Sequence, residues 1–376
     1  MSNTLKLGNG KWATGKDTLL SFSDTNNNYK PLPFSFSRAS SGTVINKDGL
    51  IETVGTGTPR IDFKDNTKGS LLLEPQRANL VPYSKDFTQW NIQSGTTVTS
   101  NTTDTLSPSG EYDASKVVGS GTSGILKSSV SSSGGTNTKS IYLKGISGGE
   151  QVKLKDPNQT VNQKTLTLTT QWQRYTLTES QTSSFGIWID DIPTSGIYMW
   201  GAQVESGSYA TSYIPTSGSA VTRVADACNN GANEQVINST EGVLYANFYA
   251  EANDTEKWIS LSDGTSTNRV IVYIPIANTL RIYVQNSSGS QADFGSSITL
   301  GQYNKVAFKY KNNDFALFLN GTKVGTDTNG GVPIGLDRLN FADSNGTTNP
   351  FIGNVKDVRV YNTALTDQEL AALTTI

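Results

Sequence analysis

DFALFLNGTKVG, residues 314 to 325, decides the fold class. Phe315, Leu317 and Leu319 are apolar at every second position, the spacing that places side chains on one face of an extended strand. Asn320-Gly321 then supplies two residues that tolerate positive φ, as a two-residue hairpin turn demands. Thr322 and Val324 resume the alternation on the return. The segment predicts two antiparallel strands joined tightly.

The same period runs through the chain. In FGIWID, Phe185, Ile187 and Ile189 share one face, and Gly186, Trp188 and Asp190 the other. In LRIYVQ, Leu280, Ile282 and Val284 oppose Arg281, Tyr283 and Gln285. Further strands are expected near SIYLK, QKTLTLTT, WQRYTLT, GIYMWGAQVE, GVLYANFYAE, KWISLSD, RVIVYIP, YNKVAFKY, DRLNFAD and GNVKDVRVYN. Many short strands separated by turn residues read as β-sandwiches. Helical periodicity enters only at the end. In LTDQELAAL, Thr366 and Glu369 form a capping box with Leu365 and Leu370 at the staple positions, which predicts a short helix from Asp367. The fold class expected is all-β: an N-terminal β region, two jelly-roll-type sandwiches and one short C-terminal helix.

Composition narrows the function. The 376 residues suit two or three domains, and 35% hydrophobic content is enough for packed cores. No run approaches the roughly 18 apolar residues of a membrane-spanning helix, so membrane insertion is not expected. MSNTLKLGNGKW carries no apolar core of a secretory signal, so none is expected to be cleaved. Cys228 is the single cysteine, which rules out an internal disulfide framework and fits assembly in a reducing cytoplasm. Histidine is absent, so no Ser-His-Asp or Cys-His nucleophile can be built. A net charge of −2 with 16% charged residues offers no basic stripe for nucleic acid.

LLLEPQRANLVPYSKDFTQW, residues 71 to 90, reads as a junction. Leu71 to Leu73 end a buried strand, Pro75 cannot continue a sheet interior, and Phe87 and Trp90 open a new core. Glu74 and Arg77 are expected to pair across the turn. Three parts follow: 1–78, an N-terminal region with a hairpin turning at Asp48-Gly49; 79–226, a first sandwich; and 227–376, a second. SYIPTSGSAVTRVAD, with Arg223 and Asp226, reads as the connector between the sandwiches.

FSRASSGTVINKDGLIETV with TPRIDF, LLLEPQRANLVPYSKDFTQW, and WGAQVESGSYATSYIPTSGSAVTRVAD together resemble a recurrent module of tailed-bacteriophage virion proteins of tail-fibre, head-fibre or minor structural type. The first sandwich resembles a jelly-roll carbohydrate-binding module. The last part resembles a concanavalin-like or laminin-G-like sandwich, chiefly through DFALFLNGTKVG and GNVKDVRVYNTALTDQEL. The resemblance implies a virion protein assembled in the bacterial host cytoplasm. Its N-terminal region would dock on other virion proteins, its sandwiches would adhere to host surface glycan, and the chain would form a homo-oligomer, usually a trimer. A purely structural decoration role, or a polysaccharide depolymerase, is the alternative.

Glycan recognition by sandwiches uses aromatic rings against sugar C–H faces with polar side chains beside them. Trp200 reads as core and Trp172 as inter-sheet packing. Trp188 with Asp190 is the candidate in the first sandwich; Trp258, Arg281, Tyr283 and Gln285 are the candidates in the second. Ordinary packing is the competing reading of each ring. Both resembling folds imply calcium as the commonest cofactor, with Asp190, Asp191, Glu111, Asp113 and Asp337 as oxygen donors. No loop spacing fixes a site, and each donor also reads as a solvated turn. Glycoside hydrolysis needs two carboxylates about 5 to 10 Å apart. Only Glu111 and Asp113 approach the pattern, in a Gly/Ser-rich segment, and no enzyme is expected.

Overall fold

A computed structural model describes residues 4–10, 12–25, 28–64, 67–131, 134–157, 159–181, 184–252, 254–276 and 278–376. It is an all-β chain of several sheets with one short C-terminal helix. The opening hairpin forms as its sequence demands. Strands Phe315–Leu319 and Thr322–Asp327 flank Asn320 and Gly321 at φ 50° and 85°. Asn320 bears that conformation because its Oδ1 accepts the Lys305 N–H at 2.8 Å and its Nδ2 donates to Asn304 Oδ1 at 2.9 Å.

The chain divides into two compact units, Met1–Ser41, Val54–Pro75 and Ala225–Ile376 in one, Gly42–Thr53 and Gln76–Val224 in the other. In the first, a 12-stranded sheet shares one core with a 5-stranded sheet. The large sheet contributes Leu244, Phe248, Phe308, Leu317 and Val358; the small one contributes Ile259, Val270, Val272, Ile282 and Val284, all buried. The small sheet runs Gly289–Ser297, Thr279–Asn286, Arg269–Ile274, Lys257–Ser262, Arg338–Asn340. The helix Asp367–Thr374 carries the expected capping box and buries Leu370 against Val243, Ala307 and Phe318 on the other side of the large sheet.

The residues expected as a separate region 1–78 do not stand apart. Strand Thr4–Gly8 pairs with Gly353–Tyr361, placing Leu5 opposite Val360 and Leu7 opposite Val358, and Ser70–Leu73 pairs with the same strand. Leu5, Leu7, Leu71 and Leu73 bury in the core of the C-terminal strands. The physical reason is geometric: a few strands with one apolar face need an opposing layer, and the C-terminal sandwich supplies it. The hairpin turning at Gly49, φ 78°, lies instead in the second unit.

The second unit is a sandwich of two 5-stranded sheets. Phe87 and Trp90 do enter its core, ring centroids 4.9 Å apart, with Ile141, Leu154, Ile187 and Val204. That core also holds charge. Lys139 Nζ lies 2.9 Å from Asp156 and is paired with Glu179, while Asn137 Oδ1 accepts from it at 2.7 Å.

Glu74 pairs with Arg60 at 2.6 Å inside the first unit, and Arg77 lies 4.0 Å from Glu205 in the second, over the Tyr209 ring. Pro75 ends the Val54–Pro75 segment of the first unit, and Gln76 opens a segment of the second, so Glu74 and Arg77 belong to different units. Arg223 is buried against Thr211 and Ser212, and Asp226 is buried with Arg38 and Arg60.

Candidate functional site

The outward face of the small sheet gathers the aromatic and polar residues of the second sandwich. In Lys257–Ser262, Ile259 and Leu261 turn inward, leaving Trp258 on the outer face with Ser260 and Ser262. In Arg269–Ile274, Val270, Val272 and Ile274 turn inward and Arg269, Ile271 and Tyr273 outward. In Thr279–Asn286, Leu280, Ile282 and Val284 bury, and Arg281, Tyr283 and Gln285 face out. Register aligns these strands into rows, Trp258 beside Tyr273 beside Arg281, then Ile271 beside Tyr283 beside Asp293, then Arg269 beside Gln285. Ile271 is fully buried although it points outward, as a floor roofed by the larger side chains around it.

The rings and guanidinia interlock. Trp258 and Tyr273 have centroids 5.5 Å apart, and Trp258 Nε1 donates to Glu256 Oε2 at 3.1 Å. The Arg269 guanidinium carbon is 5.9 Å from the Trp258 centroid and 5.2 Å from that of Tyr283. Gln285 Oε1 accepts from Arg269 Nη2 at 2.8 Å and from Tyr283 Oη at 3.1 Å. Arg281 Nε donates to Tyr273 Oη at 3.1 Å, and its Nη2 pairs with Asp293 at 2.5 Å. The Asp293 hydrogen bond raises the Arg281 pKa further above its ordinary value. Burial raises the Tyr273 hydroxyl above the usual phenol range, with the Arg281 charge pulling against it. The face is thus a shallow, half-exposed shelf of three aromatic rings with fixed donors and acceptors between them.

All four residues expected in this sandwich, Trp258, Arg281, Tyr283 and Gln285, come together here. Arg269, Tyr273 and Asp293 complete the face and were not anticipated, although the alternation of RVIVYI already set Arg269 and Tyr273 on the polar side. What the sequence lacked was the register that lays one strand's row beside the next. Two concave features of this unit lie elsewhere. A cleft of about 650 Å³ is lined by residues such as Tyr245, Lys305 and Arg359 beside the C-terminal helix, and one of about 380 Å³ by Glu234, Asn238 and Asp337.

Trp188 and Asp190 belong to the other unit. Trp188 alternates outward as expected, opposite Lys155 on the neighbouring strand. Lys155 Nζ sits 3.6 Å from the Trp188 ring centroid and 2.5 Å from Asp190, which is only 8% exposed. A lysine therefore already covers a face of the ring where a sugar would stack. Trp200 is core, 2% exposed, and Trp172 is half-buried at the edge of the same small cluster, donating to the Leu106 carbonyl at 2.7 Å.

Four of the five oxygen donors implied for calcium, all but Glu111, are engaged in ion pairs. Asp113 pairs with Lys85 at 2.6 Å, Asp191 with Lys153 at 2.7 Å, Asp190 with Lys155, and Asp337 with Arg338 at 2.7 Å. Among the described residues no three Cys, Asp or Glu side chains gather as a metal cluster. Among the described residues, too, no helix is long and apolar enough to cross a membrane.

Residues 244–371 match the Concanavalin A-like lectin/glucanases superfamily. The matched segment begins in strand Glu241–Tyr249, ends in the C-terminal helix and contains the whole aromatic face. No curated protein matches the chain. Similar solved structures include the CBM40 module of Ruminococcus gnavus IT-sialidase bound to alpha2,3 sialyllactose, at 22% identity and TM-score 0.33, covering 37% of this chain and 84% of that one. Domain 4 of an extracellular arabinanase from Geobacillus stearothermophilus, in complex with arabinotriose, is 13% identical at TM-score 0.34, covering 45% and 84%. A SAP-like pentraxin from Limulus polyphemus is 17% identical at TM-score 0.29, covering 38% and 72%.

Proposed function

We propose that this protein is a non-catalytic glycan-binding adhesion protein whose binding face is the shelf of Trp258, Tyr273 and Tyr283. The observation that carries the reading is the convergence of three half-exposed rings with Arg269, Arg281 and Gln285 on one outward sheet face. Rings present an apolar, electron-rich surface to sugar C–H groups, and the amide and guanidinium between them meet hydroxyls. An open shelf suits a polymer lying across it. The carboxylates beside it support a binding role over hydrolysis: Asp293 is held by Arg281, and Glu256 accepts from Trp258.

The setting we favour is a bacteriophage virion, on a tail or head fibre or as a decoration, with the phrases shared with tailed-phage virion proteins as its support. There the chain would contact other virion proteins and host surface glycan, as a homo-oligomer of three copies. Several copies on one particle convert modest single-site affinity into strong avidity. A structural role for the jelly-roll unit is favoured by one observation, the Lys155 ammonium already stacked on Trp188.

The test is a glycan array with the purified chain, repeated with Trp258→Ala and Tyr283→Ala. Binding that both substitutions abolish supports the reading. Absence of binding, or binding indifferent to both, overturns it. Release of new reducing ends from a bound polymer at steady turnover would refute the non-catalytic part.

A further inference from the structure

We infer that the ligand of the aromatic shelf is an acidic saccharide whose carboxylate is received by Arg269; the inference rests on the glycan reading of that face. In the same unit Arg38, Arg60, Arg281, Arg338 and Arg359 each have a carboxylate oxygen within 3.0 Å. Arg269 has none within 4.0 Å among the described residues. Its Nη2 meets only the neutral Gln285 amide, and its Nε is buried without a partner. Three carboxylates that border this strand pair are engaged, Asp293 by Arg281, Glu256 by Trp258 Nε1, and Asp263, beside the ladder partner Ser262, by Thr265 and Asn268.

A guanidinium partly stripped of water normally carries a counter-ion, because the lost hydration must be replaced by hydrogen bonds or opposite charge. Here the two flanking rings supply part of that replacement, since cations are drawn to ring faces. They also place the guanidinium carbon 5.9 and 5.2 Å from the Trp258 and Tyr283 ring centroids, beside the surface on which a sugar would stack. A planar carboxylate matches the guanidinium fork with two parallel hydrogen bonds, an interaction stronger than a hydroxyl can make. A neutral glycan would leave the Arg269 charge uncompensated on binding and buried further. The chemistry therefore selects a uronic-acid-type or other carboxylated sugar over a neutral one.

The experiment compares acidic polysaccharides with their carboxyl-reduced forms, in which CH2OH replaces each carboxylate, alongside neutral glycans on one array. The wild-type chain should bind acidic forms at least roughly tenfold more tightly than reduced ones, about 1.4 kcal/mol, as a charge-assisted bidentate contact supplies. Arg269→Gln should erase that preference while keeping residual binding to both; Arg269→Lys, which keeps charge but loses the fork, should fall between. Trp258→Ala should lose acidic and reduced forms alike. Equal wild-type binding to acidic and reduced glycans, with Trp258→Ala weakening both, overturns the carboxylate assignment and leaves the glycan reading standing. A preference that survives Arg269→Gln, in a variant whose thermal melt matches wild type, overturns the assignment too. Failure to bind any glycan sinks both.

Discussion

Arg60 and Asp226, 166 positions apart in the chain, meet fully buried in the first unit, Nη2 within 2.5 Å of Oδ2. Arg38 holds the other Asp226 oxygen at 3.0 Å, Glu74 holds the Arg60 Nη1 at 2.6 Å, and the Glu74 N–H donates to Asp226 at 2.8 Å. Two cations thus face two anions away from the surface, and the group ties the Asn28–Ser37 end, the 54–75 segment and residue 226 together. Asp226→Asn removes one anion and leaves two guanidinia to share Glu74. Breaking such a pair costs about 3–5 kcal/mol, because the surviving charge stays buried. Urea denaturation of the full chain should show that loss, and a change below about 1 kcal/mol would contradict the buried arrangement.

Lys139 poses the complementary case in the second unit. One ammonium serves two buried carboxylates, Asp156 and Glu179, and Gln181 Nε2 also donates to Glu179 at 2.7 Å. Lys139→Met leaves two anions facing each other, and a loss of about 3 kcal/mol or more is expected at neutral pH. Glu179→Gln leaves a balanced Lys139–Asp156 pair and should cost clearly less. Equal losses in the two variants, measured by chemical denaturation, would mean that the charges do not act as one group.

These clusters mark the limit of what the residues alone disclosed. Alternation in DFALFLNG, FGIWID and LRIYVQ fixed strand faces, and the capping box fixed the helix, because both are local effects of backbone geometry. The pairing of Glu74 with Arg60 depends on which sheet each strand joins. So does the joining of Leu5 and Leu7 to a strand near the other end of the chain. Neither choice leaves a local trace. On the aromatic shelf the faces of Trp258, Arg281, Tyr283 and Gln285 were readable for the same local reason. Arg269 became visible as a partner only through register, and the Lys155 ammonium over Trp188 was hidden likewise.

Trp188 and Trp258 should therefore behave differently. Trp258→Ala removes one wall of the shelf and should weaken glycan binding at least roughly tenfold, as truncation of a stacking anchor does. Trp188→Ala exposes the Lys155–Asp190 pair and should leave binding within about twofold while lowering stability by about 1–2 kcal/mol, through the lost cation–π contact and packing. Titration calorimetry with a glycan identified on the array reads the first effect, and thermal melts the second. A stronger binding loss for Trp188→Ala than for Trp258→Ala would relocate the site to the second unit.

Acid should loosen the second unit through Asp113. Its oxygens accept from Trp200 Nε1 at 2.8 Å and from Lys85 Nζ at 2.6 Å. Partial burial alone would raise its pKa, but the hydrogen bonds from Lys85, Ser107 and Trp200 with the Lys85 charge outweigh it, and the carboxyl is held below the usual range. A carboxyl more acidic folded than unfolded stabilises the fold fully above its unfolded value, near 4. The stabilisation is then lost as pH falls through the lower folded value. Lys85 is 41% exposed, so solvent screening limits the effect to about 1 kcal/mol or less. Asp113→Asn should accordingly flatten the dependence of stability on pH below about 4. It should also shift Trp200 emission, because the indole loses a charged acceptor. Superimposable acid-unfolding curves for the wild type and Asp113→Asn would show that the Lys85–Asp113–Trp200 contact carries no linkage.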